Sequence, residues 1–406
     1  MKTKTLLLSA IVGLFQLSAN AQWTDLTSPI SNDLNSIDFT DANNGWAVGR
    51  QGKVIHTTNG GTSWSEQNSS TTEDLNKVFM VSNSVGYAVG NKGVVLKYTG
   101  VFWIKLNINY TQTMMGVYFL DANTGWVSGD WGRIMKTTDG GSNWTTEMNN
   151  SIYTNQFNDL YMFSETEGWA VGSYGRVLKY NGTNWVNFSY SNPNNDAINA
   201  VHFNSNDDGF MVGESSTVFH YDGSSWTQQN TSLATNDYHV TDVVSIDANT
   251  AYLTANPGYG GAGTILKYNG NTWSKDYEYT GMYDEFFDGL TFVGSKGFTV
   301  GAGGGIKTMG AGSGTNGIAD VKSDKTNLYP NPFVSDVALR YSLTENAAVN
   351  IKIFDITGRE VATLVNQNQA AGDHVFNISG AKLENGVYFV QKTINNSTET
   401  IKLIKE

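Results

Sequence analysis

The sequence predicts an all-β chain: a seven-bladed β-propeller closed by its N-terminal strand, followed by a small Ig-like β-sandwich. Three observations carry this. Tryptophan recurs at Trp23, Trp64, Trp103, Trp144, Trp185, Trp226 and Trp273, at intervals of 39 to 47 residues. Each interval holds short alternating segments separated by turn residues, and a period near 40 with several short strands per unit is the pattern of propeller blades. The repeat stops near residue 309, and a different strand pattern begins at residue 327.

Residues 1–21 start with Lys2 and Lys4, continue in an apolar run over 6–15, and end Ala19-Asn20-Ala21. That is the pattern of a secretory signal peptide, cleaved after Ala21. The apolar run is too short to span a bilayer, and no later segment is long and apolar enough, so no membrane span is expected. Without Lys2 and Lys4, 23 basic residues face 37 acidic ones, a net charge of -14. Such a balance argues against nucleic acid or an anionic membrane as partner. The chain has no cysteine, which suits an exported domain large enough to bury its core without disulfides.

The propeller is expected over 22–309, and its unit is clearest over 125–144. A strand A alternates apolar residues: Leu34, Ile37, Phe39; Leu75, Val78, Met80; Phe157, Leu160, Met162. Strand B is the Gly-Trp-Ala-Val-Gly segment, strand C follows a Gly-bounded turn, and strand D opens at the Trp. Runs this short, alternating and bounded by turn residues, read as strands. Glycine supplies the positive φ of tight turns, and the Trp offers a large apolar surface to the neighbouring blade. Six Trp residues follow a complete A-B-C set. Trp23 precedes the first set, and the seventh set, over 287–308, has no Trp after it. The N-terminal strand therefore supplies strand D to the last blade and leaves no open sheet edge.

Residues 310–326 have the Gly/Ser-rich, polar composition of a flexible linker. Over 327–406, alternating runs at 337–341, 349–354, 375–378, 387–390 and 400–404 are separated by turns at Thr357-Gly358, Ala371-Gly372 and Asn385-Gly386. This spacing predicts the Ig-like sandwich.

Two resemblances follow from particular residues. Tyr329-Pro330-Asn331-Pro332-Phe333, Asp355 to Arg359, Gly372-Asp373-His374, Asn385 to Phe389 and Ile401-Lys402-Leu403 closely resemble the type A C-terminal sorting domain of the type IX secretion system. The resemblance implies that 327–406 engages that machinery and is removed after outer-membrane passage. The propeller would then be secreted or held at the outer-membrane surface of a Gram-negative bacterium. Thr58 to Trp64 and Thr138 to Trp144, each with its upstream Gly-Trp segment, resemble the Asp-box (BNR-like) repeats of photosystem II assembly-factor-type propellers. Here the fold is implied; a photosynthetic role is not, because fold does not fix function.

Candidate residues divide by role. Asn59, Gly60, Gly61 and Trp64, with Asp139, Gly140, Gly141 and Trp144, read as structural Asp-box residues whose Asp or Asn accepts turn hydrogen bonds. Asp41, Asp121 and Asp247 read the same way. Neither zinc-ligand spacing among the five His residues nor a Ca²⁺ loop appears, so no metal and no cofactor are expected. A basic or His residue follows each B–C turn: His56, Lys97, Lys136, Lys179, His220, Lys267 and Lys307. This column reads as an anion-binding ring or as side chains covering apolar surface with their stems; a position repeated in every blade favours the second. Sialidase-like catalysis needs convergent arginines and a Tyr–Glu pair, but the propeller holds only Arg50, Arg133 and Arg176. Catalytic residues are therefore not assigned, and an extracellular glycosidase or lyase of sialidase-like shape stands as the alternative. The favoured site is the face carrying the B–C turns, with Arg50, Trp131, Tyr174 and Tyr259, and the blade-to-blade links, with Tyr110, Tyr153, Tyr190, Tyr238, Tyr277, Tyr279 and Tyr283. Aromatics on loops over a rigid scaffold suit recognition of an extracellular glycan or protein.

Overall fold

The computed structural model describes residues 23–149, 156–233, 237–258, 262–279 and 285–310 in one unit, Met1–Gly312. In a second unit, Ser313–Glu406, it describes 327–329, 336–343, 346–355, 359–370, 372–380, 383–394 and 397–405. The expected signal peptide, residues 311–326 of the expected linker, Tyr153, Tyr259 and Tyr283 lie outside the described residues.

The first unit contains seven four-stranded antiparallel sheets. In blade 1, Leu34–Phe39, Gly45–Gly49, Val54–Thr57 and Ser65–Gln67 lie side by side as strands A to D. Blades 2 to 6 repeat this order from A strands Leu75–Ser82, Met114–Phe119, Phe157–Ser164, Ile198–Ser205 and Tyr238–Asp247. Blade 7 takes Phe287–Val293, Lys296–Gly301 and Ile306–Met309 from the end of the unit and Thr24–Leu26 from its beginning. Thr24 pairs with Thr308, Asp25 with Lys307 and Leu26 with Ile306.

A repeated contact shows that Trp23 serves blade 7. The Trp103 indole N–H of blade 2 donates to Gln67 of blade 1 at 2.9 Å, and that of Trp185 in blade 4 donates to Glu147 of blade 3 at 3.0 Å. Trp23 makes the same bond to Asp276 of blade 6, at 2.9 Å, and is buried. Blade 7 also packs on blade 1: Phe298 stacks on Phe39 at 4.0 Å, and Trp64 meets Phe39 edge-on.

The glycines serve two purposes, not only the turns the sequence suggests. Gly60 and Gly61 have φ of 67° and 85°, as the turn requires. The glycine that opens strand B lies instead in extended backbone, opposite a large A-strand side chain: Gly45 faces Phe39, and Gly125 faces Phe119. A Cβ on Gly125 would lie 2.3 Å from the Phe119 ring. That excludes any larger residue without repacking.

Adjacent blades are also tied near the axis. The second residue of strand A is Asn in four blades, and each amide donates to a main-chain carbonyl of the next blade. Asn35 reaches Leu75, Asn76 reaches Met114, Asn158 reaches Ile198 and Asn199 reaches Val240, at 2.8 to 3.1 Å. Each bond satisfies a backbone acceptor that the gap between sheets would otherwise leave bare.

The described residues of the second unit form two antiparallel sheets. One orders Asn327–Tyr329, Asp336–Leu343 and Gly372–Ser379; the other orders Glu360–Gln369, Ala347–Asp355, Gly386–Ile394 and Ser397–Lys405. Both contribute to one core, which includes Val337, Leu339, Ile351, Ile353, Val390 and Leu403.

Candidate functional site

The basic column lies half-buried over the aromatic rings of its own blades. Strand register places each cation or imidazole directly across from the large B-strand aromatic. His56 stacks on Trp46 at 4.2 Å and His220 on Phe210 at 4.6 Å. The ammonium groups of Lys97, Lys136, Lys179 and Lys267 lie 4.7 to 5.5 Å from the ring centroids of Tyr87, Trp126, Trp169 and Tyr252. These are cross-strand cation–π pairs. Lys307 does not belong to the column. Phe298 pairs with Thr308, so Lys307 points to the other side of the sheet. There it is buried and pairs with Asp25 and with Glu285, over the Tyr277 and Tyr279 rings. In blade 7 the ring is covered by Lys296, 4.9 Å from the Phe298 centroid, which also donates to the Gly60 carbonyl.

In the Asp-box turns, Asp139 accepts the Asn143 N–H at 2.8 Å and the Thr137 hydroxyl at 2.9 Å, and Asn59 accepts the Ser63 N–H at 2.9 Å. Hydrogen bonds from Asn143 hold the Asp139 carboxyl below its ordinary pKa. Asp41 likewise accepts the main-chain N–H groups of Asn43 and Asn44 within its own turn.

On the B–C turn face, Trp131 and Tyr174 occupy equivalent positions with φ of 57° and 58°, shared by Gln51 and Lys92. This left-handed conformation holds each side chain out from its turn. Tyr174 is 61% exposed. Trp131 is partly buried edge-on to Tyr110, whose hydroxyl donates to the Asp130 carbonyl at 2.7 Å and whose ring lies under Arg133. Tyr190 ties the turn of Tyr174 by donating to the Gly175 carbonyl at 2.8 Å. Arg50 is exposed and pairs with Asp33 at 3.1 Å. The link tyrosines Tyr110 and Tyr190 thus brace the turns, while Tyr174 is offered to solvent.

Sequence reasoning missed the axial channel, which the seven A strands line. On the B–C side it opens into a polar vestibule of about 410 Å³ bounded by the Asn ladder, Glu214 and Asp288. On the Asp-box side lies a second cavity of about 250 Å³. Lys77, Ser36 and Asp242 line both. Lys77 stands at this waist, its ammonium 3.1 Å from Asp159. Three carboxylates also bind the next blade's backbone: Asp38 accepts from Met80 N–H, Asp159 from Val201 N–H and Asp242 from Leu290 N–H. Burial pushes Asp38 up to about 7 and raises Asp242. Burial, aided by Lys77, pushes His202 down to about 4, and its Nδ1 accepts the Ser245 N–H at 3.1 Å. One signal was legible: Asn recurs at the second position of strand A.

Among the described residues, no group of three or more His, Asp or Glu side chains is placed to hold a metal, and no helix is long and apolar enough to cross a membrane.

Residues 327–406 match the family model of the secretion system C-terminal sorting domain. Residues 15–100 and 98–193 match that of the photosynthesis system II assembly factor YCF48. A tail of the first kind implies secretion to the cell surface or the extracellular space, with the secretion machinery as partner. Among curated proteins, none matches the chain. Among solved structures, YCF48 bound to D1 peptide has a TM-score of 0.59 at 19% identity, covering 73% of this chain and all of that one. YCF48 from Cyanidioschyzon merolae gives 0.58 at 19%, covering 71% and 99%. PorZ, a surface component of the type-IX secretion system of Porphyromonas gingivalis, gives 0.54 at 14% identity; 92% of this chain is covered and 59% of that longer one. At these identities the likeness concerns fold: an all-β propeller.

Proposed function

We propose that this chain, with repeats matching the YCF48 family model and a tail matching the sorting domain, is a β-propeller exported by the type IX secretion system as a binding module. Its signal peptide is removed after Ala21, its ring is sealed by the Trp23 strand, and its Ig-like tail addresses it outward. At the cell surface or beyond, it binds an extracellular glycan or protein and performs no catalysis. One observation carries the binding reading: Trp131 and Tyr174 are held at equivalent left-handed turn positions on the face where the polar vestibule opens. An exposed aromatic on a braced turn gives stacking area with little loss of side-chain freedom on binding. Arg50 and Tyr259 belong to the same proposed face. The neighbour solved with a bound peptide is consistent with a protein ligand.

The test compares the mature protein with its Trp131→Ala/Tyr174→Ala variant on glycan arrays and in pull-downs from cell-surface extracts. Loss of the bound set supports this assignment; an unchanged profile refutes it. Sustained turnover of complex polysaccharides by the purified protein would instead establish the enzymatic alternative.

A further inference from the structure

The cavity on the Asp-box side of the channel is built from one inward position of successive A strands: Asp38, Phe79, Tyr118, Tyr161 and His202. Phe79 and Tyr118 have centroids 4.7 Å apart, Tyr118 and Tyr161 4.9 Å, and Tyr161 and His202 5.3 Å. These rings form an arc that starts beside Asp38, and each remains partly accessible. Lys77, Asp159 and Asp242 complete the lining.

With its carboxyl groups ionised, the charge in this cavity does not balance. Lys77 is the one Lys or Arg among the described lining residues, against Asp38, Asp159 and Asp242. Asp159 holds its ammonium directly. Asp38 accepts only main-chain N–H groups, from Phe39 at 2.8 Å and Met80 at 2.6 Å. With its Nδ1 occupied by the Ser245 N–H, His202 is neutral and supplies no compensating charge.

We propose that this cavity binds one cationic side chain of a partner protein, a guanidinium or ammonium seated between the Phe79, Tyr118 and Tyr161 rings and the Asp38 carboxylate. Aromatic faces attract a cation through their quadrupoles, more strongly where water is reduced. The volume of about 250 Å³ lies below the roughly 300–1,000 Å³ of pockets for larger ligands; it suits one side chain better than an oligosaccharide. A neutral sugar would leave the carboxylate excess uncompensated, and an anion would be repelled. Burial raises the Asp38 carboxyl further than the Met80 and Phe39 N–H donors and the more distant Lys77 lower it, as expected of a buried acid with no cation in direct contact. An arriving cation displaces its proton, so binding strengthens as pH rises through 7. The groups facing Asp38 across the cavity are Lys77, Tyr118, Asp159, Tyr161, His202 and Asp242. This site is independent of the opposite face, and failure of one reading leaves the other standing.

The test uses the mature full chain with labelled histidines and titrates N-acetyl-arginine amide, N-acetyl-lysine amide and uncharged N-acetyl-citrulline amide, following the His202 ring by NMR. A saturable His202 shift with arginine or lysine, absent with citrulline, is expected. Affinity should be about tenfold higher at pH 8 than at pH 6, following the ionised fraction of an acid titrating near 7. Asp38→Asn, which keeps an acceptor for the Met80 N–H, should abolish the pH dependence; Tyr161→Leu should weaken binding with the pH dependence intact. No saturable shift, an equal response to citrulline, or a pH-independent affinity in the unaltered protein overturns the proposal.

Discussion

Replacing Lys77 with Met removes the one ammonium from the channel waist while keeping most of the stem's packing. Burial alone would lower the Lys77 pKa, but the carboxylates of Asp159 and Asp242 more than reverse that and raise it. The ammonium therefore stabilises the fold below its ordinary pKa, and as far as its own proton is concerned that stabilisation is lost as pH rises through the elevated folded value. At 3.1 Å, the Lys77–Asp159 attraction is about 5 kcal/mol with an effective dielectric near 20. Breaking one side of such a pair typically costs about 3–5 kcal/mol, because the remaining charge is left buried and unpaired. Asp159 is 6% exposed, so water cannot substitute. The expected loss in the variant is therefore about 3–5 kcal/mol at pH 7.5. It should be smaller near pH 4, where the Asp242 carboxyl, raised by burial, takes up a proton. Urea unfolding of both proteins, followed by tryptophan fluorescence at the two pH values, measures this. An equal loss at both would show that Lys77 acts through its stem, and the electrostatic account would fail.

Two further outcomes follow from packing. Trp23→Ala removes a buried indole and its bond to Asp276; it should cost about 3–5 kcal/mol and raise hydrogen exchange along Ile306–Met309, and normal exchange there would refute the seal. Gly125→Ala places a methyl against the buried Phe119 ring and should cost about 1–3 kcal/mol, read as a lower denaturation midpoint; an unchanged midpoint would show that the strand-B glycine is not required for close approach.

Much of the fold could be read from Trp23 to Trp273, because the blade repeats its largest side chain once per sheet. Register was harder. Counting loosely from the turn puts Lys307 in the basic column, yet Lys307 stands three residues after Gly304 where Lys136 stands four after Gly132, and a one-residue step along a strand reverses the face. The opening glycine is legible as part of strand B but not the reason for it, because the ring that excludes a Cβ belongs to the neighbouring strand. The channel stayed hidden for a different reason. Lys77 and Asp159 are 82 residues apart, and their position holds Ser36, Gly116, Ala200 and Gly289 in other blades. Only the packing of successive sheets side by side brings them together. The turn-face residues were legible as loop aromatics, but the bracing by Tyr110 and Tyr190 depends on contacts that spacing alone does not reveal.

Thr24 and Thr308, joined in the last sheet, are 284 residues apart in the chain. The strand Thr24–Leu26 thus has no docking place until Ile306–Met309, near the end of the unit, has emerged. Until then the final sheet keeps a bare margin, and the leading residues stay available to whatever handles the chain in transit. Completion of this last sheet is consequently a late event by construction, timed by the arrival of Ile306–Met309 rather than by the speed at which any single blade forms.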